Sequence, residues 1–146
     1  MKTITIAALL TIGSLRLGAQ APAPAPGPEV PQIVLAGFKA YETTNARAAL
    51  VAWLEGSPVS NPATIEQMLA TLGPIEGAYG TIVGHEIVRV VSVSPSVRQV
   101  YGIIRYERGP LFVSFQCYRA GKDWIIPMLL SNTRITEVFP ASLLGS

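Results

Sequence analysis

His85 is the only histidine of this 146-residue chain and the side chain best suited to acid–base chemistry near neutral pH. On a regular strand His85 and Arg89 would share one face, so a carbonyl or carboxylate ligand could bind between them. The acid that orients the imidazole would be Glu76, Glu86 or Asp123, and the sequence does not choose among the three. The alternative role of His85, which we favour, is passive: a side chain on the strand surface or half-buried, bonded to a backbone group.

Metal and cofactor chemistry finds little support in the residue inventory. One histidine and one cysteine cannot supply the three or four ligands of a His/Cys metal site. Asp123 is the only aspartate, the other acidic residues are scattered, and no phosphate-binding loop, dinucleotide motif or Gly-x-Ser-x-Gly motif occurs. We therefore expect no metal and no cofactor. Cys117 alternates with apolar residues and is predicted to be a small buried hydrophobic residue; a reactive thiol, or one that pairs with another chain, is the alternative.

Large aromatic side chains supply most of the candidate ligand-binding residues. A pocket between helix and sheet could be lined by Phe38, Tyr41, Trp53 and Trp124. The same side chains could instead fill a core, because aromatic residues dominate core burial. The predicted ligand-binding set is Tyr41, Trp53, His85, Arg89, Tyr101 and Trp124.

Basic and aromatic residues also alternate around the central hairpin, a composition found in proteins that bind single-stranded nucleic acid. They are Arg98, Tyr101, Arg105, Tyr106, Arg108, Tyr118 and Arg119. Strand alternation places Arg98 and Tyr106 on one face and Tyr101 and Arg105 on the other, which divides the set. We expect cross-strand pairs with Glu107 or Glu76, and no nucleic-acid partner.

The N-terminal segment reads as an export signal followed by a spacer. Met1–Ala19 has a positive residue, an apolar stretch too short to span a bilayer, and a small-residue end, which predicts a cleaved signal peptide. Gln20–Pro31 is rich in Ala and Pro and is predicted to be an extended linker. A single domain is predicted over 32–146, in a secreted or periplasmic protein with no stable membrane anchor after cleavage. Without Lys2 and Arg16, nine basic and nine acidic side chains remain.

The folded part must bury a large apolar fraction, because 49% of the chain is hydrophobic and 14% is charged. Helical spacing of apolar residues predicts a helix over Val30–Leu54, with a break near 43–45 as the alternative. Asn61 before Pro62 predicts the start of a short second helix, and Gly73-Pro74 predicts its end.

Alternating apolar and polar residues then predict four strands joined by short turns. Their predicted ranges are Thr81–Val93, Arg98–Glu107, Leu111–Tyr118 and Trp124–Asn132. In the fourth strand, Trp124, Ile126, Met128 and Leu130 are expected on one face, and Trp124 is expected to be a core residue. Pro127 cannot donate a ladder hydrogen bond, so this strand should be an edge or contain a bulge. Ile135–Leu144 is predicted to be a tail with one helical turn after Pro140.

This order predicts an α+β fold, with an N-terminal helix and a short second helix on a four-stranded antiparallel meander. The element order over Gln32–Phe139 resembles the cystatin-like or nuclear transport factor 2-like superfamily, which implies a curved sheet that wraps a helix and binds ligands at its open end. The chain also resembles small secreted bacterial proteins in three stretches. These are 108–112 with Tyr118-Arg119, Asp123-Trp124-Ile125-Ile126, and Ser131-Asn132-Thr133.

Two functions remain open from the sequence. The first is an exported non-enzymatic module that binds a small apolar ligand or a protein partner, or forms a homodimer through its sheet face, which carries Phe112, Tyr118 and Val88. The second is a small isomerase- or hydrolase-like enzyme that uses His85 as its base. The enzyme requires His85 in a cavity and within hydrogen-bond reach of an acid, whereas the binding module does not.

Overall fold

The structure, a computed structural model, describes residues 27–145. The predicted signal peptide, Met1–Ala19, and the linker as far as Pro26 lie outside the described residues. Within this range, three α-helices precede four strands, and two 3₁₀ turns follow the strands. The elements are α1 (Gln32–Thr43), α2 (Ala46–Trp53), α3 (Pro62–Tyr79), β1 (Ile82–Ser94), β2 (Val97–Tyr106), β3 (Gly109–Tyr118), β4 (Ile125–Asn132), and the 3₁₀ turns Ile135–Glu137 and Ala141–Leu143. The strands pair in the order β1-β2-β3-β4, all antiparallel, so the predicted α+β meander is confirmed.

The long N-terminal helix is broken, as the alternative prediction had it, and becomes α1 and α2. The Asn45 side chain accepts a hydrogen bond of 2.9 Å from the backbone N–H of Ala48 and caps α2. The two helices then pack tightly, because the Trp53 indole donates a bond of 2.9 Å to the Val34 carbonyl. The ring lies where a side chain at Gly37 would otherwise be.

The second predicted helix begins as expected but does not end at Gly73-Pro74, where the prediction is wrong. The Asn61 side chain caps α3 by accepting a bond from the Thr64 N–H, and the helix continues through Pro74 to Tyr79. Pro74 and Ala70 are exposed, so water can solvate the Ala70 carbonyl that Pro74 cannot bond. The helix ends at Gly80, whose φ of 86° favours glycine.

β1 does not keep the regular alternation that the sequence predicts. Its register with β2 shifts three times, and each shift leaves one valine of β1 without a partner in β2. The shift after Ile87 matters most. Ile87 lies opposite Gly102 on the helix-facing side of the sheet, whereas Arg89 lies opposite Tyr101 on the other side. The expectation that His85 and Arg89 share a face is therefore wrong.

Both features that Pro127 predicts are present in β4. It is an edge strand, and its register with β3 shifts between Gln116 and Tyr118. The shift changes the phase of the alternation. Ile126 is fully buried, whereas Met128 is 60% exposed and Leu130 is 46% exposed, so the prediction that these residues share one face is wrong. Trp124 precedes β4 and is half-buried, so it is not the deeply buried core residue that we expected.

The helices cover one face of the sheet, and the C-terminal segment covers part of the other. Phe139 is 5% exposed, and its ring centroid lies 5.5 Å from those of Tyr101 and Phe112 on the outer face. The predicted turn after Pro140 is present, and an additional 3₁₀ turn precedes it. No helix among residues 27–145 is long and apolar enough to cross a membrane.

Packing at the N-terminal side begins before the predicted boundary at Gln32. Pro31 is buried, Val30 packs partly against the core, and the Glu29 carbonyl accepts a bond from Arg98 Nη1. The last residues of the predicted linker therefore belong to the folded domain.

Candidate functional site

His85 contacts a carboxylate, that of Glu42 in the last turn of α1. The distance between His85 Nδ1 and Glu42 Oε1 is 2.5 Å. The Phe38 ring stacks on the imidazole with a centroid distance of 4.3 Å and an interplanar angle of 4°. Phe38 and Glu42 are four residues apart on one helix face, so α1 presents the ring and the carboxylate to β1 together. The arrangement fixes the imidazole and leaves Nε2 without a protein partner in the described range 27–145.

None of the three acids expected to orient His85 does so. Glu76 bonds Tyr41, Glu86 lies 3.4 Å from Arg105, and Asp123 precedes β4. Sequence reasoning missed Glu42 because it lies on another element, 43 residues from His85. The available signal was the spacing of Phe38 and Glu42 on one face of α1.

A buried polar network lies beside this pair and joins α1, α3 and β2. The Tyr41 hydroxyl donates to Glu76 Oε1 at 2.5 Å and lies 2.8 Å from the Tyr106 hydroxyl. Burial, with the bonds to Glu76 and Tyr106, raises the pKa of Tyr41 far above its usual range, and burial also raises the pKa of Tyr106. Both phenols therefore stay protonated at neutral pH, which suits a bonding network that holds three elements together.

A small cavity lies between α2, α3 and the inner face of the sheet. Its volume is about 80 Å³. Ten residues line it: Leu50, Trp53, Met68, Thr71, Leu72, Ile104, Leu111, Val113, Leu129 and Ser131. All but Thr71 and Ser131 are apolar, so the cavity suits an apolar occupant.

A second, open groove of about 980 Å³ lies between α1, the end of α2 and the loop before β4. Ile33, Ala36, Ile125 and Trp124 supply apolar walls, with charged residues at the rim. Trp124 also contacts two arginines, because the Cζ atoms of Arg98 and Arg119 each lie 4.8 Å from its ring centroid.

The predicted ligand-binding residues do not converge on one site. Trp53 lines the cavity, and Trp124 lines the groove. Tyr41 belongs to the phenol network and His85 to the pair with Glu42. Arg89 and Tyr101 lie on the opposite face of the sheet from these residues, where Tyr101 packs on Phe139.

Cys117 is fully buried, as predicted, and burial raises the pKa of its thiol to about 12. It is the weakly acidic thiol of a core residue, not an activated nucleophile.

The hairpin arginines are divided between the two faces, as predicted. Arg98 lies opposite Cys117 on the inner face, while Arg105 pairs with Glu86 on the outer face. Arg108 Nε donates to the Ala78 carbonyl at 3.0 Å. The expected pairs with Glu107 or Glu76 are replaced by these contacts.

Within residues 27–145 no group of three or more His, Cys, Asp or Glu side chains could hold a metal ion. A scan of protein-family models, a search of curated proteins and a search of solved structures each found no match to the chain. The resemblance to the cystatin-like or nuclear transport factor 2-like superfamily therefore stays a prediction.

Proposed function

We propose that this protein is an exported binding module that holds a small apolar ligand between α3 and a curved sheet. The cavity lined by Trp53, Leu111 and Val113 is the observation that carries the proposal. An apolar void forfeits dispersion contacts, and an apolar ligand that enters it restores them.

The size of the cavity limits the ligand. A volume of about 80 Å³ is smaller than the roughly 150 Å³ void that takes up benzene in an engineered core. The helix over the cavity can adjust, since Leu72 is the only buried residue of α3, and Met68 and Leu69 are half-buried. A small displacement of α3 would admit a single ring or a short alkyl chain.

Benzene, a single ring, and pentane, a short alkyl chain, are suitable probes for this cavity. Binding should raise the melting temperature, because a ligand at 100 times its Kd stabilises the folded state by about 2.7 kcal/mol. Ser131→Leu places an apolar side chain in the cavity and should abolish the rise. Thr133→Leu, at an exposed residue just after β4, is the matched control and should leave the rise intact.

Equal responses of the two leucine variants would contradict the proposal, since binding would then not depend on the cavity. Absence of any saturable response in the unmodified protein would also contradict it.

The Glu42–His85 contact favours a second candidate, an isomerase- or hydrolase-like enzyme. The carboxylate bonded to Nδ1 would orient the ring and leave Nε2 as the base. However, His85 lines neither cavity nor groove. Hydrolysis of activated esters that is lost in both His85→Gln and Glu42→Gln would support the enzyme, and equal rates in all three proteins would exclude this ester chemistry.

Export is a separate part of the proposal and rests on Met1–Ala19. Mass spectrometry of material from the periplasm or culture medium should find an N-terminus near Gln20 or Pro22. A chain that starts at Met1 would contradict export through this signal. Self-association through the outer sheet face is less favoured, because Phe139 already covers Tyr101 and Phe112.

A further inference from the structure

Two arginines and one tryptophan come together at the end of the sheet nearest to the predicted linker. Arg98 on β2 and Arg119 just after β3 lie on the inner side of the sheet, and both guanidinium groups contact the Trp124 ring at 4.8 Å. Cation–π contacts of this kind hold a guanidinium in a fixed orientation.

Main-chain carbonyls complete the positioning of both arginines. Arg98 Nη1 donates to the Glu29 carbonyl, and Arg119 Nη2 donates to the Pro95 carbonyl at 3.2 Å. The backbone of Arg119 is also fixed, because its N–H donates to the Ser96 carbonyl at 2.9 Å. A carbonyl orients a guanidinium without neutralising it, and each guanidinium has five N–H donors.

The positive charge of this cluster has no acidic partner among residues 27–145. Arg47 and Arg105 each pair with a glutamate, whereas no carboxylate in the described part of the chain lies within 4.0 Å of Arg98 or Arg119. Asp123 and Lys122 are adjacent along the chain and carry opposite charges. They cancel each other, so the net positive charge of Arg98 and Arg119 remains. Two half-buried guanidinium groups that contact one indole ring, neither of them bonded to a carboxylate, are suited to bind an anion.

We propose that Arg98, Arg119 and Trp124 form a binding site for an organic carboxylate. The oxygens of the carboxylate would accept N–H bonds from the two guanidinium groups in the planar geometry that arginine favours. The apolar body of the ligand would lie along Trp124 and the groove wall at Ile33 and Ile125. This site is distinct from the cavity beneath α3, with which it shares no lining residue.

The two tryptophans provide an internal comparison in a titration followed by ¹H–¹⁵N NMR. The Trp53 indole is buried and bonded to Val34, so its signal should stay in place while that of Trp124 shifts. The probes are benzoate, octanoate, acetate and inorganic phosphate, each compared with chloride at equal ionic strength. We expect saturable shifts with benzoate or octanoate, and binding about tenfold tighter than that of acetate because of the added apolar contact.

Arg98→Gln and Arg119→Gln should each abolish saturation, and Arg119→Lys should weaken binding although it keeps the charge. Arg134→Gln, at an exposed arginine outside the cluster, changes the charge equally and should bind like the unmodified protein. The lysine variant keeps the test valid if a glutamine variant fails to fold.

Shifts that do not saturate, or that match those in chloride, would overturn the site. Phosphate or acetate binding as tightly as benzoate would overturn its assignment to an organic carboxylate.

Discussion

The contact between Glu42 and His85 is short, yet solvent limits the free energy that it can supply. The Glu42 and His85 side chains are 32% and 27% exposed, and water weakens polar contacts between partly exposed groups. Phe38 adds a constraint that solvent does not weaken, because its ring lies flat on the imidazole. The pair therefore contributes more to the position of the ring than to the stability of the fold.

A double-mutant cycle of His85→Gln and Glu42→Gln should give a coupling free energy of about 0.5–1 kcal/mol. Urea unfolding of the four proteins measures it. The matched cycle of His85→Gln with Glu55→Gln, an exposed glutamate of the groove rim, should give no coupling. Coupling near zero in the first cycle would contradict a stabilising contact between Glu42 and His85.

Two helical glycines differ only in what surrounds them, and they predict opposite effects of alanine. A Cβ at Gly37 would overlap the Trp53 indole, whereas nothing lies within 4 Å of a Cβ at Gly77. Gly37→Ala should lower the free energy of unfolding by about 1–3 kcal/mol, because the cost of overpacking against Trp53 exceeds the gain in helix propensity. Gly77→Ala should stabilise by about 0.5–1 kcal/mol. Thermal or urea unfolding of both variants measures the two effects. Stabilisation by Gly37→Ala would contradict the packing of α1 on α2.

At the scale of the elements, local signals in the sequence predicted helix starts and strands well. Asn61 caps α3 where expected, the alternative break near 43–45 is present, and Pro127 marks an edge strand with a register shift. These features depend on a residue and its near neighbours along the chain.

The predictions that are wrong concern features that depend on solvent or on residues far apart in the sequence. Helix α3 passes Pro74 because that side of the helix faces water, and β1 loses its alternation through bulges that only pairing with β2 reveals. The partner of His85 depends on how α1 docks on β1, a contact between residues 43 positions apart. The fold class could thus be predicted from the sequence, whereas the Glu42–His85 pair and the cavity could not.

The linker end makes a prediction at this scale. A chain that begins at Gln32 loses Val30 and the buried Pro31. It also loses the hydrogen bonds that the Glu29 carbonyl accepts from Arg98 and that the Pro31 carbonyl accepts from the Val34 N–H. Lost apolar burial and hydrogen bonds should cost about 2 kcal/mol. The melting temperature should fall by roughly 5–10 °C relative to a chain that begins at Gly27. Equal melting temperatures would show that these contacts do not stabilise the domain.

In the whole molecule, the sheet has a cover on each side. The helices bury one face around Trp53 and Phe115, and the C-terminal segment buries part of the other beneath Phe139. The groups whose pKa values burial raises, Cys117, Tyr41 and Tyr106, all belong to the helix side. Their ionisation is therefore coupled to the unfolding of the main core.

This coupling predicts a loss of stability in alkali. The pKa of Cys117 rises from an ordinary 9.0 to about 12, and those of both tyrosines rise above their ordinary 10.0. Above pH 9 the unfolded chain releases protons that the folded chain keeps, so the free energy of unfolding falls as pH rises. Each such group contributes a slope of up to about 1.4 kcal/mol per pH unit.

Urea unfolding under reducing conditions between pH 7 and pH 11 measures this dependence. The free energy of unfolding should fall from about pH 9, where Cys117 acts first, and more steeply from about pH 10, where the tyrosines join. Cys117→Ala should flatten the curve between pH 9 and pH 10, while Tyr41→Phe should reduce the slope only above pH 10. The interval from pH 7 to pH 8 is the control for all three proteins, since these groups are protonated there in both states. An alkaline slope that neither substitution reduces would show that other groups cause it.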